Sequence, residues 1–303
     1  MIRFGLVGTN TSHAEVFANI FNGGAAQAPA LDGGKVVAVW GDPSAEAQAL
    51  EAARSLPDAS ALADGHQIDA VVADPSEMIG QIDAVLVVDD TGLGAAHGRL
   101  ARPFIAAGIP TFIDKPMTLD LAEASSLFDL AEQRGVPIMS SSALRYAREV
   151  AELRERADAI GTLSSVVSVG PGDWYNYGVH AVEMMQTVVG PGACGVHRFA
   201  TPQHDIAVVD YDNGPAVVIE TLRDAAYVFH LVAYGAKGWG ECEVADAAAF
   251  YTRLMAAVLE MVRTRRAPIS RAETLEILGI LHAGERSAQT GQRVRLVDVM
   301  ART

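Results

Sequence analysis

Lys115, in Thr111-Phe112-Ile113-Asp114-Lys115-Pro116, and His180, in Asn176-Tyr177-Gly178-Val179-His180, offer a charged donor and a titratable base. Lys115 follows an apolar, strand-like run and is stopped by a proline. Its ammonium is therefore expected at a strand end, where open α/β sheets keep their ligands. His180 follows a glycine and leads into a helical run. Oxidation of an alcohol needs both functions, because the hydroxyl proton must leave as the hydride departs. The pair predicts an enzyme.

The elements that must position these residues are written in the apolar pattern. From residue 1 to 115, short β-branched runs alternate with Ala-rich helical stretches: Ile2 to Val7, Val36 to Trp40, Ala70 to Val72, Ala84 to Val88 and Thr111 to Ile113 read as strands. Such alternation predicts a doubly wound parallel sheet, with Gly8, Asp42, Asp89 and Lys115 at the carboxyl ends of its strands. A helix follows, opened by Asp120 with Glu123 and closed by Gly135. The pattern then changes. Val166 to Val169, Ile206 to Tyr211, Ala216 to Leu222 and Tyr227 to Val232 succeed one another without helices, and Asn213-Gly214 is a hairpin signal. This predicts an antiparallel sheet, hence α+β. Of the two final helices, one carries Phe250, Leu254, Val258 and Met261 on a single face, and Ser270 with Glu273 opens the other.

Composition narrows the function classes. With 303 residues, half of them apolar, the chain can bury a large core. A net charge of -14, with Arg263, Arg265 and Arg266 as the only basic cluster, denies a nucleic-acid surface its electrostatic basis. That cluster reads as a helix end. Cys194 and Cys242 are too few and too isolated for a disulfide framework or a thiolate zinc site. No apolar run approaches the roughly 18 residues of a membrane span, and no leader segment is expected from the strand-like Ile2 to Gly8. The expected setting is the cytoplasm.

These residues together resemble the Gfo/Idh/MocA oxidoreductases, the glucose-fructose oxidoreductase and inositol dehydrogenase group. The resemblance rests on the Gly8 turn, on Asp114-Lys115-Pro116 where the family usually has Glu-Lys-Pro, and on Arg145-Tyr146. Gly178-Val179-His180, Asp212-Asn213-Gly214 and the closing Ser287-Ala288-Gln289-Thr290-Gly291 complete it. It implies a Rossmann dinucleotide-binding domain over 1–115, then an α+β domain over 116–303 with a large open, mainly antiparallel sheet. That second domain would bind substrate and form a homo-oligomer, a dimer or tetramer. The implied reaction is NAD(P)-linked oxidation or reduction at a hydroxyl-bearing carbon of a sugar, cyclitol or related polyol. Lys115 would hydrogen-bond the reacting hydroxyl near the nicotinamide, and His180 would be the acid/base. Arg145, Tyr146, Trp174 and Tyr175 would line the substrate pocket. Gly8, Thr9, Asn10, Thr11, Ser12, His13, Asp42, Asp89 and Lys115 would meet the cofactor.

Several positions depart from the family pattern. Its G-x-G-x-x-G/A falls on Gly8-Thr9-Asn10-Thr11-Ser12-His13 and keeps only the first glycine. Ser12 and Glu15 could form a capping box, the mark of a first helix that carries no phosphate. The acidic residue expected after the second strand aligns with Gly41, and Asp42 stands one place later; if it reaches the ribose, NAD is favoured over NADP. Asn22 to Gly34 reads as a loop insertion. Asp89-Asp90 admits three readings: solvated charges, a pair answered by Lys115 or Arg99, or a metal site with His13 or His97, for which no ligand spacing is present. His97 otherwise reads as structural. Asn176 replaces the aspartate that usually precedes the catalytic histidine by four residues, so it would orient His180 as an amide, with Asp173 or Glu183 as substitutes. The rival reading is a family fold whose degenerate dinucleotide site serves a non-redox lyase or hydrolase, or a ligand-binding or regulatory protein. No resident metal is expected.

Overall fold

The structure, a computed structural model, describes residues 1–23 and 31–301. Residues 24–30, within the expected loop insertion, lie outside the described residues. The chain forms two compact units, residues 1–140 with 251–270, and residues 141–250 with 271–303.

The first unit is built from β1 (Ile2–Val7), α1 (Ser12–Asn22), β2 (Gly34–Trp40), α2 (Ala45–Arg54), α3 (Ala59–His66) and β3 (Ala70–Val71). It continues with β4 (Ala84–Val87), α4 (His97–Ala106), β5 (Thr111–Ile113), α5 (Leu121–Arg134) and β6 (Ile138–Ser140). All six strands pair in parallel in the order β3-β2-β1-β4-β5-β6. This is the dinucleotide-fold order, and its strand direction of growth reverses between β1 and β4. Phe4, Leu6, Val36, Leu86, Phe112 and Ile113 have no exposed surface, as strands covered on both faces require.

The first unit extends beyond residue 115, where the sequence pattern suggested the division. β6 pairs with β5 through Thr111 and Ile138, so the sheet ends at Ser140, and residues 251–270 return to the same unit. A three-residue strand is too short to show a period, which is why the pattern change appeared early.

The second unit holds α6 (Arg148–Ile160), β7 (Leu163–Pro171), α7 (Gly178–Val189), β8 (Ala193–Ala200), β9 (His204–Tyr211), β10 (Ala216–Leu222), β11 (His230–Gly235) and β12 (Gly238–Glu243). After α8 (Ala247–Thr264) come α9 (Arg271–Thr290), β13 (Val294–Arg295) and α10 (Leu296–Met300). The sheet order is β12-β11-β7-β10-β9-β8-β13, antiparallel except for β7 beside β10. The β9–β10 hairpin turns through Asn213 at φ 63°, the left-handed conformation its Asn-Gly signal implies. The expected strand at Tyr227 instead begins at His230 and runs to Gly235.

One face of this sheet is covered. Val166, Ala207, Val209, Val217 and Ile219 alternate with less buried neighbours and are fully buried, and α7 and α9 pack against the sheet. α5 keeps its expected ends: the Asp120 carboxylate accepts from Glu123 N–H, and Gly135 closes the helix at φ 61°. Residues Arg263 and Arg265 lie at the end of α8, as the charge cluster suggested. Among the described residues no helix is long and apolar enough to cross a membrane.

Candidate active site

At the reversal point of the first sheet, Gly8 follows β1 with φ 105°, and its N–H donates to the Trp40 carbonyl at 2.8 Å. A Cβ here would lie 2.4 Å from the Asp89 nitrogen, so glycine is required by close approach as well as by its backbone angle. The next residues are covered: Thr9 and Asn10 are each 1% exposed. Thr11, not Ser12, is the N-cap of α1, its hydroxyl accepting from His13 N–H.

Asn10 joins the two strand ends. Its amide donates to Asp89 at 3.1 Å and Thr91 at 2.9 Å, and its carbonyl oxygen accepts from Asp90 N–H at 2.7 Å. Asp89 is fully buried, and its second oxygen accepts from Thr91 N–H at 3.0 Å. Burial pushes its carboxyl above the usual range, against the lowering effect of Thr91, and nearby Asp42 adds to the rise.

α2 is laid on this turn by polar contacts. The Thr9 hydroxyl donates to Glu51 at 2.6 Å, and Arg54 donates to the Asn10 carbonyl at 3.0 Å while pairing with Asp90 at 2.6 Å. Glu46 accepts from Gly92 N–H at 2.9 Å. Arg54 is thus a cation that answers Asp90. Glycine at 41 leaves room for Thr9, whose hydroxyl oxygen would lie 2.6 Å from a Cβ there. Asp42 accepts from Ser44 N–H at 2.8 Å and remains half-buried beyond β2.

Lys115 stands two residues past β5, half-buried, between Asp114 and Pro116, which are joined to it by a trans and a cis peptide bond respectively. Asp114 lies 2.6 Å from His13 Nδ1, and His13 Nε2 lies 2.9 Å from the Tyr251 hydroxyl. His13 therefore faces Asp114 rather than the Asp89–Asp90 pair. Among the described residues no group of three or more His, Cys, Asp or Glu side chains is arranged to hold a metal ion.

His180, the expected base, belongs to the second unit. His180 lies in the first turn of α7, mostly buried, with its ring against Tyr177 and the edge of Phe229. Its Nδ1 lies 2.6 Å from the hydroxyl of buried Ser142, which also accepts from Leu144 N–H at 3.1 Å. Ser142 follows β6 in the run Ser140-Ser141-Ser142, and that serine cluster is the sequence signal of this partner. The Asn176 backbone N–H donates to Asp173 at 2.9 Å, fixing the turn before the helix. Glu183 accepts from Ser142 N–H at 2.9 Å and pairs with Arg145, which also reaches Gln186.

The four residues expected to line a pocket have different surroundings. Arg145 is held by Glu183, and the Tyr146 hydroxyl is buried without a hydrogen-bond partner. Burial, then Glu183, raises the Tyr146 hydroxyl well above its ordinary value. Tyr175 meets His282 through its hydroxyl at 2.9 Å. Trp174 is 2% exposed; its indole N–H donates to the Leu281 carbonyl at 2.9 Å, and Gly284 makes room for the ring. These are packing contacts, with Arg198 over the indole at 5.0 Å.

Comparison with known proteins bears on the first unit directly. Residues 2–142 match the oxidoreductase family with an NAD-binding Rossmann fold, GFO_IDH_MocA. That segment belongs to the Gfo/Idh/MocA oxidoreductases. The myo-inositol dehydrogenase Hyg17 of Streptomyces leeuwenhoekii is 34% identical over 90 residues, 29% of this chain. The match spans only 27% of that relative's length. Two solved structures share the fold across nearly the whole chain. Myo-inositol dehydrogenase from Lactobacillus casei, in complex with NAD(H) and myo-inositol, has TM-score 0.81 and 17% identity, with 97% of this chain and 96% of that one covered. The enzyme from Corynebacterium glutamicum has TM-score 0.79 and 19% identity, with 98% and 99% covered.

The backbone of this Gfo/Idh/MocA unit suits the dinucleotide its family binds. The Gly8 turn and the open end of α1 lie at the reversal point, where N–H groups and the helix dipole favour an anion. The side chains are set differently. Thr9 and Asn10 are covered, and α2 is tied to them through Glu51 and Arg54. Asp89 is satisfied by Asn10 and Thr91, so it presents a hydrogen-bonded carboxyl rather than a bare charge to such a ligand.

Proposed function

We propose that the protein is an NAD(P)-dependent oxidoreductase acting on a CH–OH carbon of an inositol-like polyol. The observation that carries this reading is the meeting of Gly8 and Asp89 at the reversal point of a β3-β2-β1-β4-β5-β6 sheet, in a segment matching an NAD-binding oxidoreductase family. The inositol dehydrogenases that share the fold support this substrate class.

When bound, the nicotinamide supplies the hydride acceptor or donor. Lys115 donates a hydrogen bond to the reacting hydroxyl and stabilises negative charge developing on its oxygen. His180 takes the hydroxyl proton at Nε2 and returns it in the reverse direction. Ser142, at Nδ1, holds the ring so that Nε2 faces the substrate. A carboxylate at Asp42 disfavours a ribose 2′-phosphate, which makes NAD the preferred form.

A second copy of the chain is part of this proposal. Val208, Val218, Val167 and Val232 form one cross-strand row on the face of the second sheet opposite its helices, an apolar surface suited to self-association in the cytoplasm.

The test is a spectrophotometric screen of myo-inositol, scyllo-inositol and related polyols with NAD⁺ and NADP⁺. Lys115→Ala and His180→Ala should each lower turnover by at least about a hundredfold without loss of fold. Full activity in both variants would refute the assignment. The contacts of α2 with the Gly8 turn favour one rival, a fold that has given up ordinary dinucleotide use. Polyol conversion with no net change in nicotinamide redox state would support a lyase that recycles its cofactor.

A further inference from the structure

Hydrogen bonds converge on the two residues that flank Lys115. Asp114 N–H donates to the Val87 carbonyl at 2.8 Å, and the Ser140 hydroxyl donates to the Asp114 carbonyl at 3.2 Å. On the other side, His97 Nδ1 lies 3.0 Å from the Pro116 carbonyl. A carbonyl carries no proton, so His97 is the donor and its Nδ1 is protonated. A further tie is the Asp114 side chain.

That carboxylate is 5% exposed and lies 2.6 Å from His13 Nδ1. Burial alone would raise its pKa, but the His13 ring, followed by Lys115, overcomes burial and brings it to about 2. The far side of the imidazole is fixed as well. Tyr251 places its hydroxyl 2.9 Å from Nε2, accepting from a protonated ring or donating to a neutral one. Phe17 stacks on the imidazole with ring centroids 5.5 Å apart, and Tyr251 meets it edge-on at 5.2 Å. The imidazole thus has one orientation, and its Nδ1 is committed to Asp114.

We infer that His13 and Tyr251 are positioning residues for Lys115, acting through Asp114 to hold the strand end that carries the ammonium and to keep a negative charge beside it. This rests on the role of Lys115 proposed above. It makes the bulk of His13 purposeful: a small residue at that place could not reach Asp114, which would then be a buried carboxylate without its main partner. Such a group takes up a proton rather than remain charged. Lys115 would lose the adjacent negative charge, and the strand end that carries it would be held less firmly.

Lys35, Lys115 and Lys237 are the only lysines, so amine reactivity can be read residue by residue. Competitive acetylation at fixed pH, quantified by mass spectrometry, needs neither dinucleotide nor substrate, and so can fail independently of the proposed activity. In His13→Leu, labelling of Lys115 should rise about tenfold while Lys35 and Lys237 stay unchanged as internal references. Tyr251→Phe should give a smaller rise in the same direction. His13→Asn, whose amide can occupy the Nδ1 position and donate to Asp114, should restore the native rate. If His13→Leu does not fold, Tyr251→Phe and His13→Asn carry the test. Native-like Lys115 labelling in the folded Leu and Phe variants, or equal rises at all three lysines, would overturn the inference.

Discussion

The imidazole of His180 is held at Nδ1 by the Ser142 hydroxyl, 2.6 Å away, and both groups are buried. A hydroxyl can serve as donor or acceptor, whereas a carboxylate only accepts, so this partner orients the ring without fixing a charge on it. Ser142→Ala should therefore reduce turnover by about tenfold, far less than loss of the base itself, and cost about 1–2 kcal/mol in stability through an unsatisfied nitrogen. Steady-state kinetics with urea unfolding of the same variant checks both figures. Turnover equal to wild type would remove Ser142 from the mechanism.

Glu51 closes α2 over the Gly8 turn through the Thr9 hydroxyl. If α2 must leave before a dinucleotide enters, the closed state reduces apparent affinity by the fraction of molecules it occupies. Glu51→Ala removes that tie and a negative charge together. The dissociation constant for NADH should fall by about fivefold, measured by nicotinamide fluorescence. Weaker binding would mean that Glu51 helps to hold the dinucleotide instead.

Asp42 should decide between the two dinucleotides. In Asp42→Ala the ratio of NADPH to NADH dissociation constants should drop by about tenfold, since a carboxylate no longer repels the 2′-phosphate. An unchanged ratio would show that Asp42, tied to Ser44 N–H, does not face the ribose.

Asp114 provides a pH signature. Its folded-state pKa lies below the usual 3.8, so its ionised form contributes stability above that value and the contribution is lost as pH falls through about 2. Asp114→Asn should thus be less stable than wild type at neutral pH, and the gap should narrow on acidification from pH 4 towards 2. Chemical denaturation across that range tests the sign. A gap that widens on acidification would contradict it.

Much of this was legible in the sequence, and what was hidden shares a cause. The strand-helix alternation placed Gly8, Asp89 and Lys115 at strand ends, and Asn213-Gly214 and Asp120 marked a hairpin and a helix start because local backbone requirements select those residues. The ties that build the candidate site are not local. His13 meets residues 101 and 238 positions away, and Ser142 meets one 38 positions away. No periodicity records such pairs. Trp174 misled for a related reason: an aromatic beside Tyr175 suggests a carbohydrate surface, but Gly284, over a hundred residues later, makes the cavity that buries it. Likewise α2 carries few buried side chains, so its pattern describes an ordinary surface helix and gives no sign of its polar contacts with the turn.

The central claim is that this turn accepts a dinucleotide although it keeps one glycine of three. Titration of the purified protein with NADH and NADPH, followed by nicotinamide fluorescence and accompanied by a search for cofactor released on denaturation, tests it most directly. Saturable binding below millimolar concentration, tighter for NADH, is the predicted result. No binding of either dinucleotide up to millimolar concentration, with none released on denaturation, would contradict it.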